Sequence, residues 1–351
     1  MAQEAQASRA GEAAARQNAA LKRRKGLLRT LLFLLGLGLL LGLLNVATHG
    51  DFLAPGNVLN ILRQIAVNAI LAIGQTFVII TAGIDLSVGS LIALSGVLMA
   101  GALNAGSGAP SAAVLAAAVV GLGIGALAGL VNGFPVVRFN LPPFITTLAM
   151  MLMARGLAFL YTSGHPIELD NSAFNFVGSG FLAPALGHLI GIPGIPMPVT
   201  IMLCIVVIAN YVLAQTRFGR YVYAIGGNEE AARLSGINVA AVKLSVYIVS
   251  GALAGLASLL LTARLNAGIP QSGQGYELQS IAAVVVGGTS LMGGRGSIAG
   301  TFIGALLIGV LYNLMNLLNV QSYAQEVVLG TVILFAVLLD ELRKRIFAAR
   351  A

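Results

Sequence analysis

The sequence predicts an all-α polytopic membrane protein with about ten transmembrane helices, as its composition, hydropathy and charge distribution all indicate. Of its 351 residues, 58% are hydrophobic and only 9% are charged, whereas a typical soluble domain carries roughly 25% charged residues. A soluble protein of this length needs a polar surface that this composition does not supply. A bilayer removes the need, because lipid solvates apolar side chains directly.

Ten apolar segments follow a polar N-terminal stretch. Residues 1–25 carry no apolar stripe and are expected to form a cytoplasmic tail, before a transmembrane domain (26–342) and a basic cytoplasmic C-terminus (343–351). The first apolar segment is too long for the core of a signal peptide, so we interpret it as a retained span. All segments approach the roughly 20 residues needed to cross a bilayer, except the eighth and tenth, which are short. They lie near residues 27–48, 57–82, 87–105, 111–131, 143–163, 197–214, 240–263, 278–290, 297–319 and 324–340.

The distribution of basic residues predicts the orientation of these spans. Loops on one side contain Arg138, Arg217, Arg220, Arg233, Lys243 and Arg295, whereas the opposite side contains only Arg264. The longest loop, 164–196, has no Lys or Arg and falls on the opposite side. Because cytoplasmic loops are enriched in Lys and Arg, we expect both termini in the cytoplasm.

A short motif occurs twice and indicates an inverted internal repeat. Gly83–Leu86 and Gly275–Leu278 both read Gly, bulky apolar, acid, Leu, and five spans separate them. Copies five spans apart are inserted in opposite orientations, and broken helices at corresponding positions of such repeats mark a transport path. We therefore expect broken-helix turns at Asp85 with Ser87 and at Tyr276 with Glu277. A charge within the bilayer is costly unless it is paired or faces the protein interior, so Arg155 is a candidate partner for Asp85 or Glu277.

The segment 217–239 is predicted to form a short helix exposed between two spans. Asn228 is a suitable N-cap, Glu229 and Glu230 favour the first turn, and Gly236 is suited to end the helix. Such a helix fits a docking surface for a partner, although an ordinary connecting loop has the same features. The glycines between 287 and 296 could cradle a phosphate, but they lack the Lys and Ser/Thr continuation, so tight packing is the better interpretation.

Four stretches together resemble the permeases of ABC importers. Glu230-Ala231-Ala232, followed after three residues by Gly236, matches the Glu-Ala-Ala signature of that class. The other three are similar to the ribose-type sugar permeases of the branched-chain amino acid/ribose permease superfamily, and the resemblance runs from about residue 50 to residue 340. They are Gly83–Ser90, Tyr223–Asn228 with Leu234–Asn238, and Gly275–Leu278 through Val286–Leu291.

The resemblance implies a sugar-translocating subunit in a bacterial cytoplasmic (inner) membrane, working as a homodimer among membrane lipid. It implies that the segment after span six seats in a cleft of a separate ABC ATPase. The coupling residues are then Gly226, Gly227, Asn228, Glu229, Glu230, Ala231, Ala232, Arg233 and Gly236. No Gly-Lys pair occurs in the sequence, so a Walker A loop is absent and ATP and Mg²⁺ are expected on the ATPase partner. The loops are too short for a sugar-binding domain, which implies a separate extracytoplasmic binding protein.

Cofactors, metals and nucleic acid are not expected in this chain. Its three histidines show no metal-ligand spacing. Cys204 lies in an apolar stretch and is expected to be a small buried residue. The basic residues cluster beside apolar segments, where they act as topology signals rather than as a nucleic-acid surface.

Amide side chains on two spans are candidates for the translocation path. Asn57, Asn60, Gln64, Asn68 and Gln75 fall on one face of span two, and Asn313, Asn316 and Asn319 follow one another on span nine. Amides donate and accept hydrogen bonds, which suits brief contact with a sugar. Hydrogen bonding between helices is the alternative. Our candidates are Asn60, Gln64, Asn68, Gln75, Asn313 and Asn316.

Two other functions compete with a sugar ABC permease. A branched-chain amino acid ABC permease belongs to the same superfamily, and an ion-coupled secondary sugar transporter can also contain inverted repeats. We see no paired carboxylates or Ser/His constellation that would support a membrane-embedded enzyme. The resemblance favours ribose as the sugar, while xylose, arabinose, galactose and a signalling furanose stay open.

Overall fold

A computed structural model describes residues 41–106, 109–184 and 193–348 of the chain. Most of the first predicted span and the whole N-terminal tail lie outside the described residues. The described residues before Leu59 belong to one compact unit, and those from Leu59 onward belong to a second. Within the first unit, residues 41–47 are helical. The Thr48 hydroxyl donates to the Leu44 carbonyl at 2.9 Å and accepts from the Phe52 N–H at 3.1 Å, which ends this helix in a closed turn.

Beyond this turn, the described residues form twelve helices and four strands of two residues each. The helices are α1 (Pro55–Ile80), α2 (Val88–Ala105), α3 (Pro110–Arg138), α4 (Pro143–Thr162), α5 (Ser172–Ser179), α6 (Met197–Gln215), α7 (Arg217–Gly227), α8 (Glu229–Leu234), α9 (Val239–Leu265), α10 (Tyr276–Val286), α11 (Ile298–Leu317) and α12 (Ser322–Ala348). The strands are β1 (Ile167–Glu168), β2 (Phe181–Leu182), β3 (Ile195–Pro196) and β4 (Ala267–Gly268).

The predicted fold class is confirmed. Seven of the described helices are long and apolar enough to cross a membrane, namely α1, α2, α3, α4, α6, α9 and α11. Two shorter apolar helices, at Tyr276–Val286 and Ser322–Leu338, correspond to the two segments that the sequence marks as short. These nine account for every predicted span except the first, most of which is not described.

Small residues allow the central helices to approach closely. A Cβ added to Gly125 of α3 would lie 2.1 Å from the carbonyl oxygen of Gly251 in α9, and one added to Gly251 would lie 2.0 Å from that of Gly125. Van der Waals packing through glycine drives helix association in lipid, where no hydrophobic effect acts between helices. The α3–α9 contact therefore explains part of the abundance of glycine in the sequence.

Two non-helical segments, called the first and second interruption, lie at or beside the copies of the repeated motif. Asp85 and Ser87 lie in the first, whereas Tyr276 and Glu277 lie in the first turn of α10, directly after the second. The chain leaves α1 at Ile80 and starts α2 at Val88, and it leaves α9 at Leu265 and starts α10 at Tyr276. Strand β4, in the second interruption, pairs antiparallel with β1 after α4, with Ile167 opposite Gly268. Strands β2 and β3 pair antiparallel within the long loop. An inverted relation between the two halves stays a prediction.

Candidate functional site

The segment between α6 and α9 is built from two capped helices. The Thr216 hydroxyl accepts the Gly219 N–H at 3.3 Å at the start of α7. The Asn228 side chain accepts the Ala231 N–H at 2.9 Å and caps α8. Gly236 has φ +81°, and the next N–H, of Ile237, donates to the Ala232 carbonyl at 3.1 Å. The predicted cap and the predicted helix end are both confirmed.

Helix α8 turns most of its side chains to the outside. Ala232 is buried and packs in a cluster with Val222, Ile225 and Val239. The Glu229 carboxylate bridges Arg233 at 3.3 Å and Lys243 at 2.5 Å, which ties α8 to the start of α9. Leu234 is 84% exposed. Residues 230, 231, 233, 235 and 236 are exposed as well. The helix thus presents a firmly held surface.

The same segment contacts the end of α1 through glycines. A Cβ added to Gly226 would lie 1.7 Å from the Ile80 carbonyl oxygen, which accepts the Gly294 N–H at 2.9 Å. The Tyr223 hydroxyl donates to the Gly296 carbonyl at 2.7 Å, and burial raises the pKa of Tyr223. The glycine-rich loop between α10 and α11 is therefore packed against α7 and α1. Tight packing is the interpretation that the sequence favours for these glycines, in preference to phosphate binding.

Asp85 lies at the centre of a buried polar network in the first interruption. Its Oδ1 accepts the Ser87 N–H at 3.0 Å and the Ser87 hydroxyl at 2.6 Å, and its Oδ2 accepts the Ser250 hydroxyl at 2.9 Å. The Asn132 amide donates to the Ser87 hydroxyl oxygen at 2.9 Å. The Gln75 amide donates to the Asp85 carbonyl and accepts the Asp85 N–H at 3.4 Å. These hydrogen bonds fix the turn, while Asn132 Oδ1 is buried without a hydrogen-bond partner among the described residues.

The two interruptions, about 190 residues apart in sequence, meet at the start of α2. A Cβ added to Gly89 would lie 2.0 Å from Glu277 Oε2 and 2.4 Å from the Gly273 carbonyl oxygen. Glu277 Oε2 is buried and has no hydrogen-bond partner among the described residues. Arg155 donates to the carbonyls of Pro270 and Ser272, at 2.8 Å each. The structure thus brings Arg155 to the loop before α10, where it binds main-chain carbonyls, whereas Tyr276 and Glu277 belong to the first turn of α10.

The candidate path residues fall into two groups. Asn68 donates to the Gln279 side chain at 2.9 Å, joining α1 to α10, and Asn316 accepts from Gln325 at 2.8 Å, joining α11 to α12. Asn68, Asn316 and Gln75 thus hydrogen-bond to other parts of the protein, which is the structural role given above as the alternative to contact with sugar. Asn313 is buried, whereas Asn60 is exposed and Gln64 partly so. Their role in translocation stays a prediction.

An open cavity of about 370 Å³ lies between α4 and the second interruption. Its lining includes Leu152, Arg155, Phe159, Gln271, Gln274 and Glu277. Sequence reasoning singled out Arg155 and Glu277 but missed the two glutamines. The sequence signal that could have identified them is their position, since Gln271 and Gln274 come directly before the second copy of the repeated motif.

Metal-binding geometry is absent from the described part of the chain, where no three His, Cys, Asp or Glu side chains are grouped suitably. Cys204 is exposed on α6, so its predicted burial is wrong. The stretch around it is apolar on all sides, and hydropathy alone does not distinguish a lipid-facing position from a buried one.

Comparison with known proteins gives a consistent result. A family model described as branched-chain amino acid transport system / permease component matches residues 57–337. Ribose import permease protein RbsC of Haemophilus influenzae is 47% identical over 294 residues, covering 83% of this chain and 86% of the relative. The protein of that name from Bacillus subtilis is 46% identical, covering 87% and 91%. Xylose transport system permease protein XylH of Escherichia coli K12 is 36% identical, covering 85% and 88%. No solved structure matches.

Proposed function

This chain belongs to the branched-chain amino acid transport system permease family, and we propose that it is the membrane-spanning subunit of an ATP-driven importer of ribose. One observation carries the choice of sugar. Relatives named as ribose import permeases are 46–47% identical across more than four fifths of both chains, against 36% for a xylose permease. The relatives with these names also favour a sugar over a branched-chain amino acid.

The ATPase partner binds the exposed face of α8. A six-residue helix held by a cap, an ion pair and a buried alanine offers a surface that moves as one body. Exposed Leu234 supplies an apolar contact, and the residues from Gly226 to Arg233, with Gly236, form the coupling loop. ATP and Mg²⁺ bind the partner, since this sequence has no Walker A loop.

Closure of the ATPase pair moves α8 and, through it, the turns inside the membrane. Gly226 and Gly294 lie against the Ile80 carbonyl, and Ile80 is five residues before Asp85. A shift of α8 therefore displaces the first interruption and the loop that joins α10 to α11. Packed glycines transmit such a shift because they leave no soft side chain between the backbones.

Two further partners complete the importer. A second copy of the chain forms a homodimer with the path on its two-fold axis, and an extracytoplasmic binding protein delivers the sugar. The assembly lies in a bacterial inner membrane, with both termini of the chain in the cytoplasm.

Uptake of labelled ribose tests this function. Cells lacking their own ribose permease would express this chain with its ATPase and binding protein. Gly236→Trp alters the α8 surface, but the φ of +81° at this position strains most side chains. Gly236→Asn, a residue that tolerates this conformation, should therefore keep uptake and separates strain from surface. Leu115→Trp on the exposed face of α3 is the second control. We expect ATP-dependent uptake that Gly236→Trp abolishes and Leu115→Trp retains.

The other outcomes separate the alternatives. Uptake of xylose but not ribose would correct the substrate and keep the mechanism. Uptake of leucine alone would identify an amino acid permease. Transport that persists without the ATPase, and that tolerates Gly236→Trp, would identify an ion-coupled secondary transporter and overturn the proposal.

A further inference from the structure

We propose, building on the sugar-import function above, that the cavity between α4 and the second interruption binds the sugar during its passage. Arg155, Gln271, Gln274 and Glu277 supply the polar contacts, and Phe159 supplies an apolar surface. The cavity volume of about 370 Å³ lies at the small end of the roughly 300–1,000 Å³ found for small-molecule sites.

The polar side of the cavity is preorganised. Arg155 is fixed by the Pro270 and Ser272 carbonyls, at 2.8 Å each. A guanidinium has five N–H donors, so these two bonds leave donors for a ligand. Glu277 lines the same cavity, and its Oε2 is buried beside Gly89.

The chemistry of the lining matches an uncharged polyhydroxyl ligand. A monosaccharide has hydroxyl groups that donate and accept, together with apolar C–H faces. Gln271 and Gln274 are both exposed, and an amide satisfies both roles of a hydroxyl. Phe159 is 37% exposed, enough for its ring to cover a C–H face. One cation and one carboxylate leave the cavity without net charge, so an anionic ligand gains nothing from it.

The depth of the cavity in the membrane indicates that it faces water. Arg155 follows Pro143, the first residue of α4, by twelve positions, which places it ~18 Å along a helix that rises 1.5 Å per residue. It is therefore close to the middle of a span. An arginine at this depth is costly against lipid and normally faces a bundle interior or a water-filled cavity. The opening beside α4 thus belongs to the transport path between two protomers.

The amides on α1 and α11 contrast with this lining. Asn68, Gln75 and Asn316 hydrogen-bond to other parts of the protein. The cavity instead presents exposed amides beside Arg155 and Glu277, two side chains of opposite charge. Among the described residues, it is therefore the better candidate for direct contact with sugar.

Cysteine labelling of the assembled importer tests the cavity. The sequence has one cysteine, exposed Cys204, so Cys204→Ser gives a background without thiols. Gln274→Cys then places a thiol in the cavity, and Val119→Cys places one at a 65%-exposed position on α3, away from it. Membranes containing the importer are treated with a charged, membrane-impermeant thiol reagent, and labelling and ribose uptake are measured.

We expect Gln274→Cys to be labelled and to lose at least nine tenths of its uptake, while Val119→Cys stays unlabelled and active. An excess of ribose should slow labelling of Gln274→Cys during turnover. No labelling at Gln274→Cys, or labelling without loss of uptake, would overturn the cavity assignment. Protection by leucine instead of ribose would overturn the sugar assignment. An unsubstituted importer that moves no sugar would contradict the function itself, and measuring it beside the variants keeps that outcome separate from failure of the cavity assignment.

A second pair of variants measures the contact without a reagent. Gln274→Leu should raise the KM for ribose uptake about threefold to tenfold, the effect of one lost hydrogen bond. Asn210→Leu removes an exposed amide from α6, outside the cavity, and should leave KM unchanged. An unchanged KM in Gln274→Leu would overturn the role of Gln274.

Discussion

Gly226 of the coupling loop packs directly against the backbone of membrane helix α1. The space for its Cβ is occupied by the Ile80 carbonyl oxygen, at 1.7 Å. That carbonyl also accepts the Gly294 N–H, so it cannot turn away without losing a hydrogen bond. Gly226 therefore has a packing role that is independent of any contact with an ATPase.

We predict that Gly226→Ala destabilises the protein and reduces ribose uptake. Overpacking at a site with no free volume costs about 1–3 kcal/mol, because the α7 backbone must move away from Ile80. Thermal unfolding in detergent measures the loss. Gly123→Ala is the control, since a Cβ on this α3 glycine meets nothing within 4 Å. Equal unfolding temperatures for the two variants would contradict the close contact.

Helix α8 shows how a very short element becomes a defined surface. An isolated helix of six residues is unstable in water, because nucleation costs more than one turn of hydrogen bonds returns. Three contacts compensate here: the Asn228 cap, the Glu229–Lys243 ion pair and burial of Ala232. Its order thus depends on residues at its start and on the underlying helices.

We predict that the cap at Asn228 controls ATPase binding. Asn228→Ala removes the acceptor for the Ala231 N–H and should cost about 1 kcal/mol of helix stability, whereas Asn228→Asp keeps an N-cap acceptor. The amount of ATPase that co-purifies with the tagged permease should fall in the alanine variant and recover in the aspartate variant. Equal losses in both variants would mean that the amide contacts the partner directly.

At the scale of the whole molecule, the charge distribution assigns each loop to one of the two sides of the membrane. Loops that contact each other in the structure are assigned to the same side. Gly226 and Gly294 lie in two loops that the charge distribution puts in the cytoplasm, and they are in contact. Strands β1 and β4 lie in two segments assigned to the opposite side, and they pair with each other. These contacts show that each pair shares a side, while the identity of that side stays a prediction.

We predict that α8 faces the cytoplasm and the loop after α4 faces outward. In the Cys204→Ser background, Asp170→Cys should react with an impermeant maleimide in intact cells. Leu234→Cys should react only after the cells are permeabilised. Both positions are exposed, so access to the reagent depends on the side of the membrane. The reverse pattern would invert the predicted topology.

Properties that depend on residues close together in the chain follow from the sequence alone. Span positions follow from the length of apolar runs, since each residue rises 1.5 Å along a helix that must cross a layer of fixed thickness. The Asn228 cap and the Gly236 end follow from side-chain chemistry within a few positions. Nine of the ten predicted spans correspond to described helices for this reason. The motifs also identified the family, which the comparisons confirm.

Contacts between side chains far apart in the chain follow from the tertiary structure and not from the sequence. The contact of Gly89 with Glu277, the binding of Gln75 to the Asp85 main chain, the exposure of Cys204 and the cavity beside Phe159 all depend on helix packing and on the rotation of each helix. A soluble helix reveals its buried face through an apolar stripe. A membrane helix is apolar on the lipid side as well as on the protein side, so its sequence leaves that rotation undetermined.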